Sequence, residues 1–497
     1  MVNVKVDTTI SSLKLATKSE QCTLQVITVD LETSVEHEEA NPADAWLPIT
    51  ESRKGNAFTS ASHLLCSGIG IQALALPIAF LPLGWLLGTV CLSIAFCWQL
   101  YTMWLLINLH ESPSGFRYSR YLHLSIVAFG EKMGKLVAIF PTMYLSGGTC
   151  VLYIITGGKT LEYFYQVICG DDFECNSRSL RGTEWFLVFI CLAILVAQFF
   201  PNLDSLSHIS LIGSITATAY CSLIWILYII TKGRLNLEGP WEAQISGLDR
   251  ICYVLNGLGI IALSFRGHNV VLEIQGTMTT NREHPSREPM WRGVTISYLL
   301  IAMCLYPLAI VGYWTFGNMA SAINIEHSLK FFSSQMPING GILVPFNKFH
   351  QSNTSKYIVG TIYLTLVINC LCAFQVYAMP VFDNLERLYT STKNQPCPGW
   401  LRSGIRIFFG GLAYCIAMAF PFLASLGAFM GAIALPLTLA YPCFMWITMK
   451  KPCQFSKLWC LNIGLGSLGM VLSILLVAAS LRSMVTNGLD ANFFNPM

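Results

Sequence analysis

The chain has 497 residues, 54% of them hydrophobic and only 11% charged, against roughly 25% charged in an average soluble domain. That balance excludes a soluble globular protein, which could not cover its surface. Apolar runs long enough to cross a hydrocarbon core of about 30 Å recur along the sequence. The formal net charge of +3 says little by itself; where the charges fall matters more.

Residues 1–55 hold Glu36, Glu38, Glu39 and Asp44 among many serines and threonines, with no long apolar run. They read as a disordered acidic cytosolic tail, with a phosphorylation target as the regulatory alternative. No signal-peptide core follows Met1, so the first apolar helix is expected to direct insertion. Eleven apolar segments follow, at 58–82, 84–108, 136–168, 184–200, 206–231, 251–276, 293–316, 356–389, 405–421, 424–449 and 458–481. The expectation is an all-α polytopic membrane protein whose 11 transmembrane helices occupy 56–485, followed by a short tail, 486–497. The third and eighth segments exceed a perpendicular span, an excess that tilt or continuation beyond the bilayer would absorb. Between the second and third, 109–135 is too charged to span, and its middle, YLHLSIVAFG, is predicted to lie on the inner surface as a short amphipathic helix.

Orientation follows from the lysine and arginine asymmetry. With the N-terminus inside, five of the 30 cations lie on the tail and 14 on inner loops and helix ends, against nine outside. Lys159 and Arg266 fall within helices. Eleven spans then leave the C-terminus extracellular. The sequon Asn353-Thr354-Ser355 falls in the long outer loop 317–355 under this topology, which makes Asn353 a candidate for glycosylation. The 18 cysteines are mostly scattered through apolar runs, where a thiol packs as a small hydrophobe. No metal spacing occurs. Cys169 and Cys175 share one short polar loop, where a disulfide and two free thiols are both open readings.

Two apolar segments are interrupted. The first holds CSGIGIQALALP, with Gly68 and Gly70 near its middle and Pro77 beyond; the sixth holds SFRGHN around Gly267. Glycine costs about 1 kcal/mol relative to alanine in a helix interior, and an unwound turn exposes backbone that lipid cannot satisfy. Small residues also serve close helix packing. Two interruptions five spans apart, one beside an Arg-Gly-His-Asn cluster, point instead to an inverted five-plus-five repeat with a substrate site at the breaks.

FRGHNVVLEIQ, followed by PMWRG at 289–293, resembles the sixth-helix region of plant amino acid permeases, in particular the lysine/histidine transporter-like group. TGGK at 156–159, FG at 316–317 and ALPLTLAYPCFMW at 434–446 also resemble that group, and the likeness runs from about residue 50 to 485. The resemblance implies a LeuT-like (APC-type) fold with broken helices 1 and 6, and proton-coupled amino acid uptake at the plasma membrane. The sequence departs from the group's pattern at Arg266, where many members have a small residue, and at Ser146, where they tend to have a glutamate. Both differences make the expected site more positive.

Within that frame Gly68, Ile69 and Gly70 would offer unwound backbone to a substrate carboxylate, as would Ser264, Phe265 and Gly267, with Phe265 either an apolar gate or ordinary packing. Arg266 needs an anion, from Glu273 or from a substrate. Glu273, about two turns beyond the break, is the expected proton-coupling residue, since a carboxylate there costs about 2.5–3.5 kcal/mol unless paired or protonated; a structural hydrogen bond is the alternative. His268 is the second candidate for the proton and equally a strut. Tyr144 could close the site from the third helix, Lys159 would snorkel, and Asp383, Glu386 and Arg387 would form an inner ion pair. The expected partners are an amino acid and the bilayer, with no nucleic acid, no metal and no cofactor other than a coupling proton; no oligomeric state follows. A nutrient sensor with this fold is the competing function. A channel lacks a filter-like loop, and an enzyme lacks HExxH, a nucleophile elbow or a Cys/His cluster.

Overall fold

The computed structural model describes residues 45–112, 115–170, 180–231, 247–281, 284–322, 343, 346–347, 354–420 and 427–487. Cys175 and Asn353 lie outside them. Among the described residues the secondary structure is helical, apart from two isolated bridges, Gly55 with Met278 and Glu111 with Arg117.

The first apolar segment forms α1 (Ala57–Gly68) and α2 (Ile71–Ala79), which meet at 51°. A capping box starts α1: Asn56 Oδ1 accepts from the Phe58 and Thr59 amides, and Thr59 Oγ1 accepts from the Asn56 amide. The chain continues through α3 (Gly84–Leu109), the short α4 (Tyr121–Phe129), α5 (Glu131–Cys169), α6 (Gly182–Phe199) and α7 (Ser207–Thr231). The sixth segment divides into α8 (Gly247–Ala262) and α9 (Val271–Gly276). Then come α10 (Arg287–Ala322), α11 (Lys356–Lys393), α12 (Gly399–Ala419) and α13 (Gly427–Leu435). A π-helical turn, Pro436–Ala440, joins α13 to α14 (Tyr441–Lys450), and α15 (Lys457–Asn487) ends the bundle.

Nine helices among the described residues are long and apolar enough to cross a bilayer, and the α1–α2 pair makes a tenth; α8 is shorter, apolar from Arg250 to Ala262. At 39 and 38 residues, α5 and α11 would run about 57–59 Å at 1.5 Å per residue, well past a hydrocarbon core. The predicted surface helix is α4, whose Tyr121, Leu124 and Ser125 are buried against α5. Large apolar side chains such as Trp85, Leu136, Phe199 and Phe408 stand exposed around the outside, as a lipid-facing surface requires.

The two broken spans pair crosswise. α2 packs against α8, and α1 against α9, so each half of one span meets the opposite half of the other. α5, α7 and α11 enclose them: α11 packs on both α5 and α7, and α7 on α1. α13 and α15 cover α8 from the other side.

The end of the expected disordered tail is a packed element. Leu47, Ile49 and Thr50 are buried, and the Ile49 amide donates to Asp383 Oδ1 at 3.3 Å. The cluster AWLPIT is too short to register as a span, yet apolar enough to dock. Around it Arg120 pairs with Asp383 (Nε–Oδ2 2.5 Å), and Arg402 with Glu386 (3.0 Å) and Glu51 (3.3 Å). The ion pair expected among Asp383, Glu386 and Arg387 is thus made by other arginines. Together these groups form the N-terminal face of the bundle.

Candidate functional site

In the first span the helix stops at Gly68, and Ile69 is extended (φ −114°, ψ 117°). The carbonyls released there find side-chain donors: Ser67 O accepts from Tyr377 Oη at 3.1 Å, Gly68 O from Gln72 Nε2 at 2.5 Å, and Gly70 O from Tyr220 Oη at 3.3 Å. Buried carbonyls without such partners would be costly. The approach is close, since a Cβ on Gly70 would lie 2.5 Å from the Tyr153 hydroxyl, and one on Gly68 would overlap the Ile301 side chain.

The sixth span unwinds between Ala262 and Val271. Gly267 turns at φ +130°, a conformation open to glycine and strained for other residues. α3 braces this break: Gln99 Nε2 donates to the Ala262 carbonyl (2.9 Å), and His268 Nε2 lies 2.9 Å from Thr102 Oγ1 and 3.2 Å from the Gln99 carbonyl. His268 thus bridges the break to α3. Asn269 Nδ2 donates to Ser146 Oγ (2.9 Å). Phe265 is fully buried, stacked on Tyr298 (5.9 Å) and edge-on to Phe96 (5.3 Å).

Arg266 is buried at the centre of this turn. Its Nε donates to the Leu263 carbonyl at 3.3 Å and its Nη1 to Thr149 Oγ1 at 3.1 Å, with the Tyr377 hydroxyl beside its guanidinium. Tyr377 thus touches both breaks. With Gln99, Leu145, Gly431 and Thr438, Arg266 lines a small cavity of about 10 Å³, room for roughly one water. Glu273 sits apart, in the first turn of α9, buried, with Oε2 free of any hydrogen-bond partner. Asp383 and Arg120 are its charged neighbours. No ion pair joins Arg266 to Glu273 among the described residues.

Gly68, Ile69, Gly70, Ser264, Phe265, Arg266 and Gly267 thus come together in the core of the bundle, while Tyr144 does not join them. Its half-buried ring stacks on Phe140, one turn back on its own helix. Tyr153 is the tyrosine that α5 presents to the break, and at 100° per residue the nine positions between them put the two on opposite faces. A buried polar stripe marks the inward face: Thr142, Ser146, Thr149, Tyr153, Thr156 and Thr160, alternating by four and three residues as one helix side does. That spacing was the available signal for Tyr153 and Thr149. Nothing in the sequence singled out Tyr220 or Tyr377. Lys159 lies over the Tyr163 ring and pairs with Glu162. Cys169 is disulfide-bonded, and its expected partner Cys175 lies outside the described residues.

Two discontinuous helices, crossed half against half, with side chains satisfying the unwound backbone, define a secondary transporter. The family model described as transmembrane amino acid transporter protein matches residues 53–482. Two Arabidopsis thaliana relatives are similar over most of their length: lysine histidine transporter-like 8 is 46% identical over 92% of this chain and 84% of its own. Lysine histidine transporter-like 7 is 43% identical over 92% and 90%. A nucleobase-cation-symport-1 family transporter, solved in a closed conformation with bromovinylhydantoin bound, shares the fold at TM-score 0.51 and 11% identity, over 88% of this chain and 93% of that one. The chain belongs to the transmembrane amino acid transporter family, within the plant amino acid permeases. It is a LeuT-type transporter of amino acids, not an enzyme.

Proposed function

We propose that the protein is a proton-coupled amino acid symporter of the plasma membrane, working by alternating access. The topology proposed with it has eleven spans, a cytosolic N-terminal face, an extracellular C-terminus and a glycosylated Asn353. The observation that carries the coupling is Glu273. Its carboxylate is buried with one oxygen unpartnered, a costly arrangement for a permanently charged group in a membrane and a suitable one for a group that takes up and releases a proton. It lies in the helix that follows the sixth-span break, with Arg120 and Asp383 as its charged neighbours. Its charge can therefore be felt both where substrate binds and where the N-terminal face closes. Protonation with substrate bound would weaken the hold of Glu273 on Arg120 and so bias the bundle between its two openings. His268, held against Gln99 and Thr102, serves better as the brace of the break.

The test is Glu273→Gln, measured by amino acid uptake into proteoliposomes with and without an acid-outside gradient. The variant is expected to fold and to exchange substrate, while losing the gradient's stimulation. Stimulation equal to wild type would make Glu273 structural. A sensor remains the second reading, because the N-terminal segment is seated on the bundle through Leu47 and Ile49 and so can report its state. Concentrative uptake separates the two.

A further inference from the structure

Arg266 carries a buried charge that no described carboxylate neutralises. Other arginines of the bundle are provided for: the buried Arg120 by Asp383, and the partly exposed Arg402 by Glu386 and Glu51. Arg406 has two backbone carbonyls, of Ala197 and Pro201, and the face of Phe382. Arg266, 6% exposed, has one carbonyl at 3.3 Å and the Thr149 hydroxyl at 3.1 Å, with the Tyr377 hydroxyl beside it, all neutral, for a fork of five donors. Glu273, the one acidic residue on its own span beyond the break, makes no ion pair with Arg266 among the described residues and has Arg120 and Asp383 as its charged neighbours. A guanidinium stays charged in any plausible site, and a buried one without an anion is expensive.

The residues around it point the same way. Gln99, Leu145, Gly431, Ala434, Leu435 and Thr438, on α3, α5, α13 and the π-turn, complete its cavity, and none is acidic. The span-1 side of the breaks is faced by Tyr153, Tyr220 and Tyr377. None of these groups carries a negative charge that would balance the ammonium of a cationic side chain. In so buried a site a nearby like charge is poorly screened.

We infer that Arg266 is the charge filter of the transport site: a substrate carboxylate completes its coordination, and amino acids with cationic side chains are rejected. The substrate class is acidic and neutral amino acids. This rests on the breaks being the substrate site, as proposed above.

Wild type, Arg266→Gln and Arg266→Lys are compared in proteoliposomes given glutamate, glutamine or lysine. Wild type is expected to take up glutamate and glutamine at least about tenfold faster than lysine, the equivalent of 1.4 kcal/mol or more. Arg266→Gln is expected to raise the lysine-to-glutamate ratio about tenfold, while Arg266→Lys keeps the wild-type order. Equal uptake of lysine by wild type, an unchanged ratio in Arg266→Gln, or an Arg266→Lys that behaves as Arg266→Gln would each overturn the filter. Should nothing accumulate, the symport reading fails by itself. Thermal stabilisation of the purified protein by the same three amino acids then judges the filter: stabilisation by glutamate and glutamine but not lysine upholds it, and any other pattern overturns it.

Discussion

Asp383→Asn should open the N-terminal face. The Arg120–Asp383 pair is 2.5 Å long, with side chains only 6% and 1% exposed. Asparagine keeps the shape and a carbonyl oxygen for the Ile49 amide, so the substitution removes the charge and little else. Breaking a buried pair by removing one partner costs about 3–5 kcal/mol, because the remaining charge stays buried and unpaired. If the cost falls on the closed arrangement, the open-to-closed ratio rises by about two to three and a half orders of magnitude, at 1.4 kcal/mol per tenfold. A cysteine at position 49 reports that ratio, since Ile49 is 1% exposed while the face is closed. Its alkylation rate in nanodiscs, followed by mass spectrometry of the peptide that carries it, tracks the open population when closing is faster than labelling. Glu51→Gln is the control. Its pair with Arg402 has Glu51 40% exposed, and exposed pairs contribute about 0–1 kcal/mol, so its labelling should rise by less than about fivefold. Equal labelling of the Asp383→Asn and Glu51→Gln proteins would refute the reasoning and leave the pair without a gating role.

Other expectations follow from the same geometry. Gly267→Ala places a side chain at φ +130°, which costs about 1–3 kcal/mol, so its thermal midpoint in detergent should fall and uptake should be lost; wild-type values would mean the turn relaxes freely. Tyr377→Phe removes the hydroxyl that donates to Ser67 and stands beside Arg266, and leaving a buried carbonyl short of a donor costs about 1–3 kcal/mol. Uptake should fall with the protein still folded, and unchanged kinetics would remove Tyr377 from the site. The proposed topology predicts that Asn353→Gln abolishes a glycan-dependent gel shift and that a C-terminal tag is reached from outside intact cells. A tag seen only after permeabilisation would mean an even number of spans.

Hydropathy made the bundle legible because each helix had to be apolar around most of its circumference to sit in lipid, and the helix limits fall within a few residues of the apolar runs for most spans. The breaks were legible for the complementary reason: glycine and charge inside such a run need an explanation. Rotation was harder to read. When both the lipid side and the core side of a helix are apolar, nothing marks which residues face in, and Tyr144 stood out while Tyr153 did not. Only the four-and-three spacing of Thr142, Ser146, Thr149 and Tyr153 carried the direction. Long-range pairings carried no local signal at all. Arg120 and Asp383 are 263 residues apart, and Ile49 reaches Asp383 across 334. The docked end of the tail depends on those contacts, which is why it read as part of a disordered segment.

Proton coupling is the centre of the account, and proton movement with substrate measures it most directly. In proteoliposomes loaded with a pH-sensitive dye, an inward gradient of glutamine at zero pH gradient, with the membrane potential clamped, should acidify the lumen. Glu273→Gln should abolish that signal, and a protonophore should collapse it. Substrate entry with no change in luminal pH would contradict the account and leave a uniporter or a symporter of another ion.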